Sequence, residues 1–182
     1  MSRFFDKEYI DKISNLHLPR YGDFPNIELY IDQLLTYIEN QLDFLPCEEG
    51  EKLLTTSMVN NYVKQGIVAP TVKKRYARYH IAYLIVVTIL KQTYTINEIS
   101  ELIKIQISTY PIEHAYDYFC TEVENAIKSV FLSDCTPTPD SASNTTPITD
   151  LIRSGVYSFA NKLYVQKCLQ FTGGDYTEIT YK

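Results

Sequence analysis

The chain has 182 residues, 45% of them hydrophobic, and its 22 acidic residues outnumber its 17 basic ones. The resulting net charge of -5 argues against a protein that coats nucleic acid over its whole surface. Only 6 glycines, beside 16 tyrosines and many Leu and Ile residues, predict an all-α fold. The length suits one domain, or one domain with an appendage.

The apolar segments and the cysteines predict a cytoplasmic protein without membrane contact. The longest apolar run, residues 81–90, is too short to span a bilayer, and charged residues interrupt the N-terminal segment where a signal peptide is apolar. The four cysteines are widely spread and contain no Cys-x-x-Cys pair, so we expect no metal or cofactor site from them. They are Cys47, Cys120, Cys135 and Cys168.

The first strong helical pattern covers residues 27–45, after a short amphipathic piece around Tyr9. Apolar residues recur along it at helical spacing and predict one buried stripe. The opposite side is acidic and would be repelled by phosphates, so this helix should lie away from any DNA. The stripe consists of Ile27, Ile31, Leu34, Ile38, Leu42 and Leu45, and residues 46–53 read as a loop.

A short helix is predicted over residues 55–65, with a threonine cap at its start and Gly66 as its stop. One side carries Met58, Val59, Tyr62 and Val63, and the other carries Ser57, Asn60, Asn61 and Lys64. Such a polar stripe suits a DNA recognition helix, because Asn pairs with adenine and Lys reaches guanine or phosphate. The alternative is a solvated helix face without a partner.

A basic turn follows at residues 71–76, where Lys73, Lys74 and Arg75 are consecutive. Its composition predicts a small hairpin, or wing, whose cations and Arg78 would contact flanking phosphates. The alternative is a merely solvated turn. Residues 52–97 contain seven basic residues and no acidic one, so the positive charge of this acidic chain is concentrated on one segment.

The remaining patterns are helical. Residues 78–92 are apolar almost all round and predict the central buried helix. Thr95 and Glu98 form a capping box, and residues 111–132 carry a heptad seam that fits either a homodimer or packing inside the chain. Residues 133–147 read as a linker before a last helix at residues 149–171.

The segments around the two basic elements resemble a known class of regulators. Residues 54–70 (LTTSMVNNYVKQGIVAP) look like the second helix and turn of MerR-type winged helix-turn-helix proteins, and residues 76–84 and 94–103 resemble the helices that follow. The stretches LPRY, IELYIDQ, MVNNYVKQG and HIAYLI are more closely similar to an uncharacterised bacterial family known only as a domain of unknown function. This resemblance spans about residues 15–130 and implies a MerR-like fold without an established activity.

The chain departs from the MerR pattern in several places. Helix 27–45 and a long loop precede the recognition helix, and the wing is shorter. Asn60 and Asn61 stand where an Arg and an aromatic residue are common, and Ala77 lacks the usual capping hydroxyl. These departures leave the base contacts unassigned.

The predicted organisation is a MerR-like winged helix-turn-helix domain with an extra N-terminal helix and a C-terminal helical extension. Residues 1–107 form the domain, residues 108–133 a long helix, residues 134–148 a linker, and residues 149–182 a C-terminal helix and tail. The function predicted is a transcription regulator that binds double-stranded DNA, with a homodimer through helix 111–132 as an option. Its DNA contacts are Ser57, Asn60, Asn61, Lys64, Lys73, Lys74, Arg75 and Arg78.

Three alternatives stay open beside the regulator. The basic surface could bind an acidic protein partner, residues 108–182 could bind an effector, and Cys120 with Cys135 could sense a metal, although no third soft ligand lies near them in sequence. No local catalytic motif is present, neither a phosphate-binding glycine loop nor a nucleophile or zinc-protease signature, so the chain is not predicted to be an enzyme.

Overall fold

The computed structural model describes residues 5–47, 50–132 and 136–172. Within these ranges the chain is all-α, as its composition predicted. The helices are α1 (Lys7–Ser14), α2 (Ile31–Gln41), α3 (Thr56–Lys64), α4 (Arg78–Leu90), α5 (Ile96–Thr109), α6 (Ile112–Leu132) and α7 (Pro147–Thr172), with a 3-10 turn at Tyr21–Asp23. Among the described residues, no helix is both long enough and apolar enough to cross a bilayer.

Helix α4 lies in the core, as its all-round apolar pattern predicted. Ile81, Leu84 and Ile85 have no exposed surface, and even Thr88 is fully buried. The helix contacts α2, α5, α6 and α7, so it is surrounded by the rest of the molecule. Burial on every side removes much apolar surface from water, and each large side chain contributes about 1.5–3 kcal/mol relative to exposure.

Helix α2 is shorter than the predicted helix at residues 27–45. Leu29 exchanges two backbone hydrogen bonds of 2.9 Å with Tyr76 in an antiparallel bridge, so the chain is extended there and the helix begins at Ile31. Ile27, predicted on the buried stripe, is 69% exposed because it lies before this bridge. Leu34, Ile38, Leu42 and Leu45 are buried as predicted, although the last two lie in the turn beyond the helix.

The heptad seam of α6 is buried within this chain. Tyr116, Phe119, Val123, Ala126 and Val130 are buried, and α6 packs against α1, α4, α5, α7 and the 3-10 turn. Glu122 and Glu124, outside the seam, are buried as well, so α6 is enclosed on several sides. The helix therefore presents no free seam to a second copy in this structure, and its apolar periodicity is accounted for by intrachain packing.

The predicted linker 134–148 is described from residue 136, and helix α7 begins at Pro147. Residues 136–146 contain no helix, and side chains of α6 and α7 hold them through hydrogen bonds. The Tyr157 hydroxyl accepts from the Thr138 N–H at 3.0 Å, Glu122 accepts from the Ser141 N–H at 3.0 Å, and Arg153 donates to the Thr138 carbonyl. The connection thus lies against the pair of helices that it joins.

Candidate nucleic-acid interface

Helix α3 forms where the polar stripe predicted it, and its ends explain its length. The Thr55 hydroxyl accepts a hydrogen bond from the Met58 N–H at 3.3 Å, which caps the first turn. Gly66 has a φ of 72°, a left-handed value that glycine adopts at little cost, and it ends the helix. Val59 and Tyr62 are buried and attach the inner face to the core.

The outer face of α3 carries four polar side chains in solvent. Ser57, Asn60, Asn61 and Lys64 are all exposed. Asn61 accepts a hydrogen bond from the Gln65 amide at 3.3 Å, whereas the side chains of Ser57, Asn60 and Lys64 have no hydrogen-bond partner in the described part of the chain. These groups are free to contact a ligand. Met58, predicted on the inner side, is 36% exposed at the edge of the helix.

The basic turn is a two-residue hairpin. Val72 and Arg75 form an antiparallel bridge with a 3.0 Å backbone hydrogen bond, and Lys73 and Lys74 occupy the two positions between them. Both lysines have positive φ, 51° and 56°. Left-handed backbone costs a residue other than glycine about 1–2 kcal/mol, and Asn-Gly is the usual choice in such a turn. Lysine at these two positions lowers the stability of the turn relative to Asn-Gly and places two positive charges at its tip.

Arg75 and Arg78 are held differently from the lysines. The Arg75 guanidinium lies 5.0 Å from the centre of the Tyr30 ring and donates to the Tyr30 hydroxyl at 3.1 Å, while the side chain stays exposed. Arg78 is half-buried and donates to the Phe24 carbonyl at 3.0 Å and to Asn26. Arg78 therefore holds the loop before α2 in place. The sequence pattern predicted a phosphate contact for Arg78 and contained no signal for this structural role.

No cation of residues 52–97 is in an ion pair with a carboxylate among the described residues. The two other arginines that the structure describes are paired: Arg20 lies 2.7 Å from Glu124, and Arg153 lies 3.5 Å from Glu122. Lys64, Lys73 and Lys74 are exposed, so their charges face solvent. The acidic residues that the structure describes form no ion pair with this segment, so its positive charge is available to an anionic ligand.

Two residues of this region were missed by the sequence reading. His80 stands in the first turn of α4, and its Nδ1 accepts the Ala77 N–H at 2.9 Å, which is the contact that the third helical residue makes in a capping box. Its position three residues after the cap was the available signal, because capping boxes use that spacing. Tyr30 had no local signal, since its contact with Arg75 joins residues 45 positions apart.

Cys120 has the properties of a packing residue. It is fully buried, and burial raises the pKa of its thiol to about 12, so the thiolate that binds metals is disfavoured. Cys135, its proposed companion in a metal sensor, lies outside the described residues. Within the described ranges, no three His, Cys, Asp or Glu side chains come together in a group able to hold a metal ion.

Comparison with protein families places this surface inside a recognised segment. The family described as "Domain of unknown function (DUF1836)" matches residues 19–119, more than half of the chain. The chain belongs to the DUF1836 family. The DUF1836 segment contains α2 to α5, the hairpin and the start of α6, and therefore every residue of the candidate interface. Comparisons with curated proteins and with solved structures gave no match.

Proposed function

We propose that this DUF1836 protein is a transcription regulator that binds duplex DNA through a MerR-like winged helix-turn-helix. Helix α3 enters the major groove, and the hairpin at residues 71–76 contacts phosphates. The observation that carries the proposal is the set of exposed cations, Lys64, Lys73 and Lys74, that have no carboxylate partner in the described structure of an acidic protein.

The order of elements supports this proposal. Helices α2 and α3, a two-residue hairpin, and helices α4 to α6 follow one another along the chain. The resemblance to MerR-type proteins implies the same order: two helices, a wing, and three further helices. The Leu29–Tyr76 bridge ties the residues before α2 to the end of the hairpin, which limits the movement of the hairpin relative to α2.

The side chains have separate roles in this arrangement. Ser57, Asn60 and Asn61 read base edges, because amides and hydroxyls both donate and accept hydrogen bonds there. Lys64, Lys73 and Lys74 contact phosphates and set the register. Arg75 is oriented by Tyr30, so less side-chain entropy is lost when it binds a phosphate. The left-handed backbone of Lys73 and Lys74 supports a functional role for the hairpin tip, because strained backbone conformations are concentrated at functional sites.

The decisive experiment replaces the two tip lysines by the residues that the turn itself prefers, Lys73→Asn with Lys74→Gly. Positive φ is easier for both new residues, so we expect the free energy of unfolding to rise by about 1 kcal/mol. Affinity for mixed-sequence duplex DNA should fall roughly tenfold or more at low salt, and the slope of log affinity against log salt should become shallower by about 2. Fluorescence anisotropy and chemical denaturation measure the two quantities.

A matched control removes two cations outside the basic segment, Lys7→Asn with Lys104→Asn, both exposed in helices. The control loses the same net charge, and we expect its DNA affinity to change less than twofold, because neither position contacts phosphate. Equal losses in the two double variants would show only a general charge effect. If the unmodified protein showed no salt-dependent binding to duplex DNA, the proposal would be contradicted.

An acidic protein partner is the second candidate, and one observation favours it. Tyr30, which contacts Arg75, and Val72, which precedes Lys73, are exposed, with Val72 70% exposed. Apolar groups next to a basic patch are common where proteins bind one another. Substitution Val72→Ser distinguishes the two, because it removes apolar area without changing charge and should leave affinity for DNA within about twofold.

A further inference from the structure

A cleft lies where the edge of α3, the residues that follow α4 and the last turns of α7 meet the loop before α3. Its volume is about 440 Å³, which is in the range of small-molecule sites. Lys52 and Lys91 line it beside one carboxylate, that of Glu51, so its wall carries a net positive charge. The rest of the wall consists of Pro46, Cys47, Leu53, Met58, Gln92, Gln166, Leu169 and Gln170.

Lys91 is half-buried in this wall and has no carboxylate partner among the described residues. Its ammonium donates to the Leu53 carbonyl and lies 3.8 Å from the Met58 sulfur. Both acceptors are neutral, so the positive charge is not compensated by them. Burial lowers the pKa of Lys91, because the ammonium loses part of its hydration, although the Cys47 thiol acts in the opposite direction. A half-buried cation without a counterion favours an anion that enters the cleft.

The cleft also offers neutral polar groups and apolar surface beside the ammonium. The side-chain amides of Gln166 and Gln170 have no hydrogen-bond partner in the part of the chain that the structure describes, and an amide both donates and accepts. Leu169 is 51% exposed and Met58 is 36% exposed, so each presents apolar surface to a ligand. These groups suit a ligand with one charged end and one apolar end.

We propose that this cleft binds a small organic monocarboxylate, whose anionic end pairs with Lys91 and whose apolar part lies against Met58 and Leu169. One negative charge matches the wall, because two lysines and one glutamate leave one positive charge. An ammonium has three N–H donors, so Lys91 can contact a carboxylate while it donates to the Leu53 carbonyl. None of the proposed DNA contacts lines the cleft.

The test titrates the full chain near pH 7 with hexanoate and with hexanamide, and follows amide chemical shifts. The two probes have the same shape, but only hexanoate is charged. We expect hexanoate to bind roughly fivefold or more tightly than hexanamide, because hydrogen bonds to a charged partner are stronger than neutral ones. Shift changes should concentrate on residues 50–53, Met58 and residues 166–170. No binding of hexanoate, or equal affinities for the two probes, would overturn the proposal.

Two substitutions locate the site. Lys91→Gln removes the charge and keeps an N–H donor for the Leu53 carbonyl, so the preference for hexanoate should fall below about twofold. Gln166→Glu adds a negative charge to the wall and should weaken hexanoate roughly threefold or more, while the affinity for hexanamide changes less than about twofold. Because Gln166→Glu keeps Lys91, it tests the site even if Lys91→Gln does not fold.

The matched control is Lys128→Gln, which removes a half-buried lysine of α6 that does not line the cleft. It should keep the preference for hexanoate. An undiminished preference in Lys91→Gln, an unchanged affinity of Gln166→Glu for hexanoate, or an equal loss in Lys128→Gln would each show that the anion does not bind in this cleft.

Discussion

His80 shows how one side chain connects the proposed wing to the core. It is 1% exposed, its ring lies 5.5 Å from Tyr76 and 4.0 Å from Tyr79, and its Nδ1 accepts the Ala77 N–H. Because Nδ1 is an acceptor, the ring is neutral with its proton on Nε2. Burial lowers the pKa of His80, while backbone groups of Ala69, Pro70 and Ala77 and the charge of Glu28 act in the opposite direction.

This lowered pKa predicts a pH-dependent stability. Below the ordinary histidine pKa of about 6.5 the unfolded chain takes up a proton that folded His80 resists, so the free energy of unfolding decreases as pH falls from 7 towards 5. His80→Gln retains an acceptor at the same position of the cap without titrating. We expect the variant to lose part of that decrease, as measured by chemical denaturation at pH 5, 6 and 7.

The control for this prediction is His114→Gln, because His114 is exposed at the start of α6. A change of the same size in both variants would attribute the effect to the loss of any histidine and not to the burial of His80. An identical slope for His80→Gln and the unmodified protein would mean that His80 takes up its proton equally in the folded and unfolded chain.

At the scale of elements, a charge pair joins the middle of α6 to the chain before the 3-10 turn. Glu124 accepts the Leu18 N–H at 2.7 Å and both ends of the Arg20 guanidinium at 2.7 and 2.9 Å. This carboxylate raises the pKa of Arg20 and ties the chain before the 3-10 turn to α6. A buried pair of this kind holds geometry more than it adds net stability, because desolvation opposes the attraction.

Breaking the pair should nonetheless be costly. Glu124→Gln leaves Arg20 partly buried without a counterion, and we expect the free energy of unfolding to fall by about 2–3 kcal/mol, below the full value for a buried pair because Arg20 is partly exposed. Glu101→Gln is the matched control, since Glu101 pairs with Lys104 at 2.8 Å on the surface. Its cost should be below about 1 kcal/mol. Similar costs for the two would show that Arg20 is compensated by solvent.

At the scale of the molecule, the core is continuous from α1 to α7 and extends beyond the DUF1836 segment. Phe5, Phe131 and Tyr164 meet with ring centres 5.1–5.6 Å apart, which joins the beginning of the described chain to α6 and α7. Val156, Phe159 and Leu163 of α7 are buried in the same apolar cluster as α4. The extension after α6 therefore contributes directly to the core around the family segment.

This packing predicts that a fragment of residues 1–132 does not fold cooperatively. Without α7, the apolar surface of α6 that faces it is exposed to water. We expect the fragment to lose its cooperative thermal transition by circular dichroism and to bind a hydrophobic dye. Co-expression of residues 136–172 as a second chain should restore the transition. A fragment that melts cooperatively at the temperature of the whole chain would show that residues 1–132 are an independent unit.

The sequence by itself determined the features that depend on neighbours a few positions away. Helix α3 with its Thr55 cap, the capping box at Thr95 and Glu98, the burial of α4, and the exposed stripe of α3 were predicted because helical periodicity and capping are local. The basic turn at residues 71–76 was predicted for the same reason, and the structure forms it as a hairpin.

Only the tertiary structure decided the features that join distant residues. Leu29 pairs with Tyr76 and shortens α2, Arg78 braces the loop before α2, and the seam of α6 is satisfied inside the chain. Lys91 reads in sequence as an ordinary basic residue, and the cleft that half-buries it forms only when α3, α7 and the loop before α3 meet it. Periodicity shows which face is apolar, but the partner that covers it depends on contacts across the whole chain.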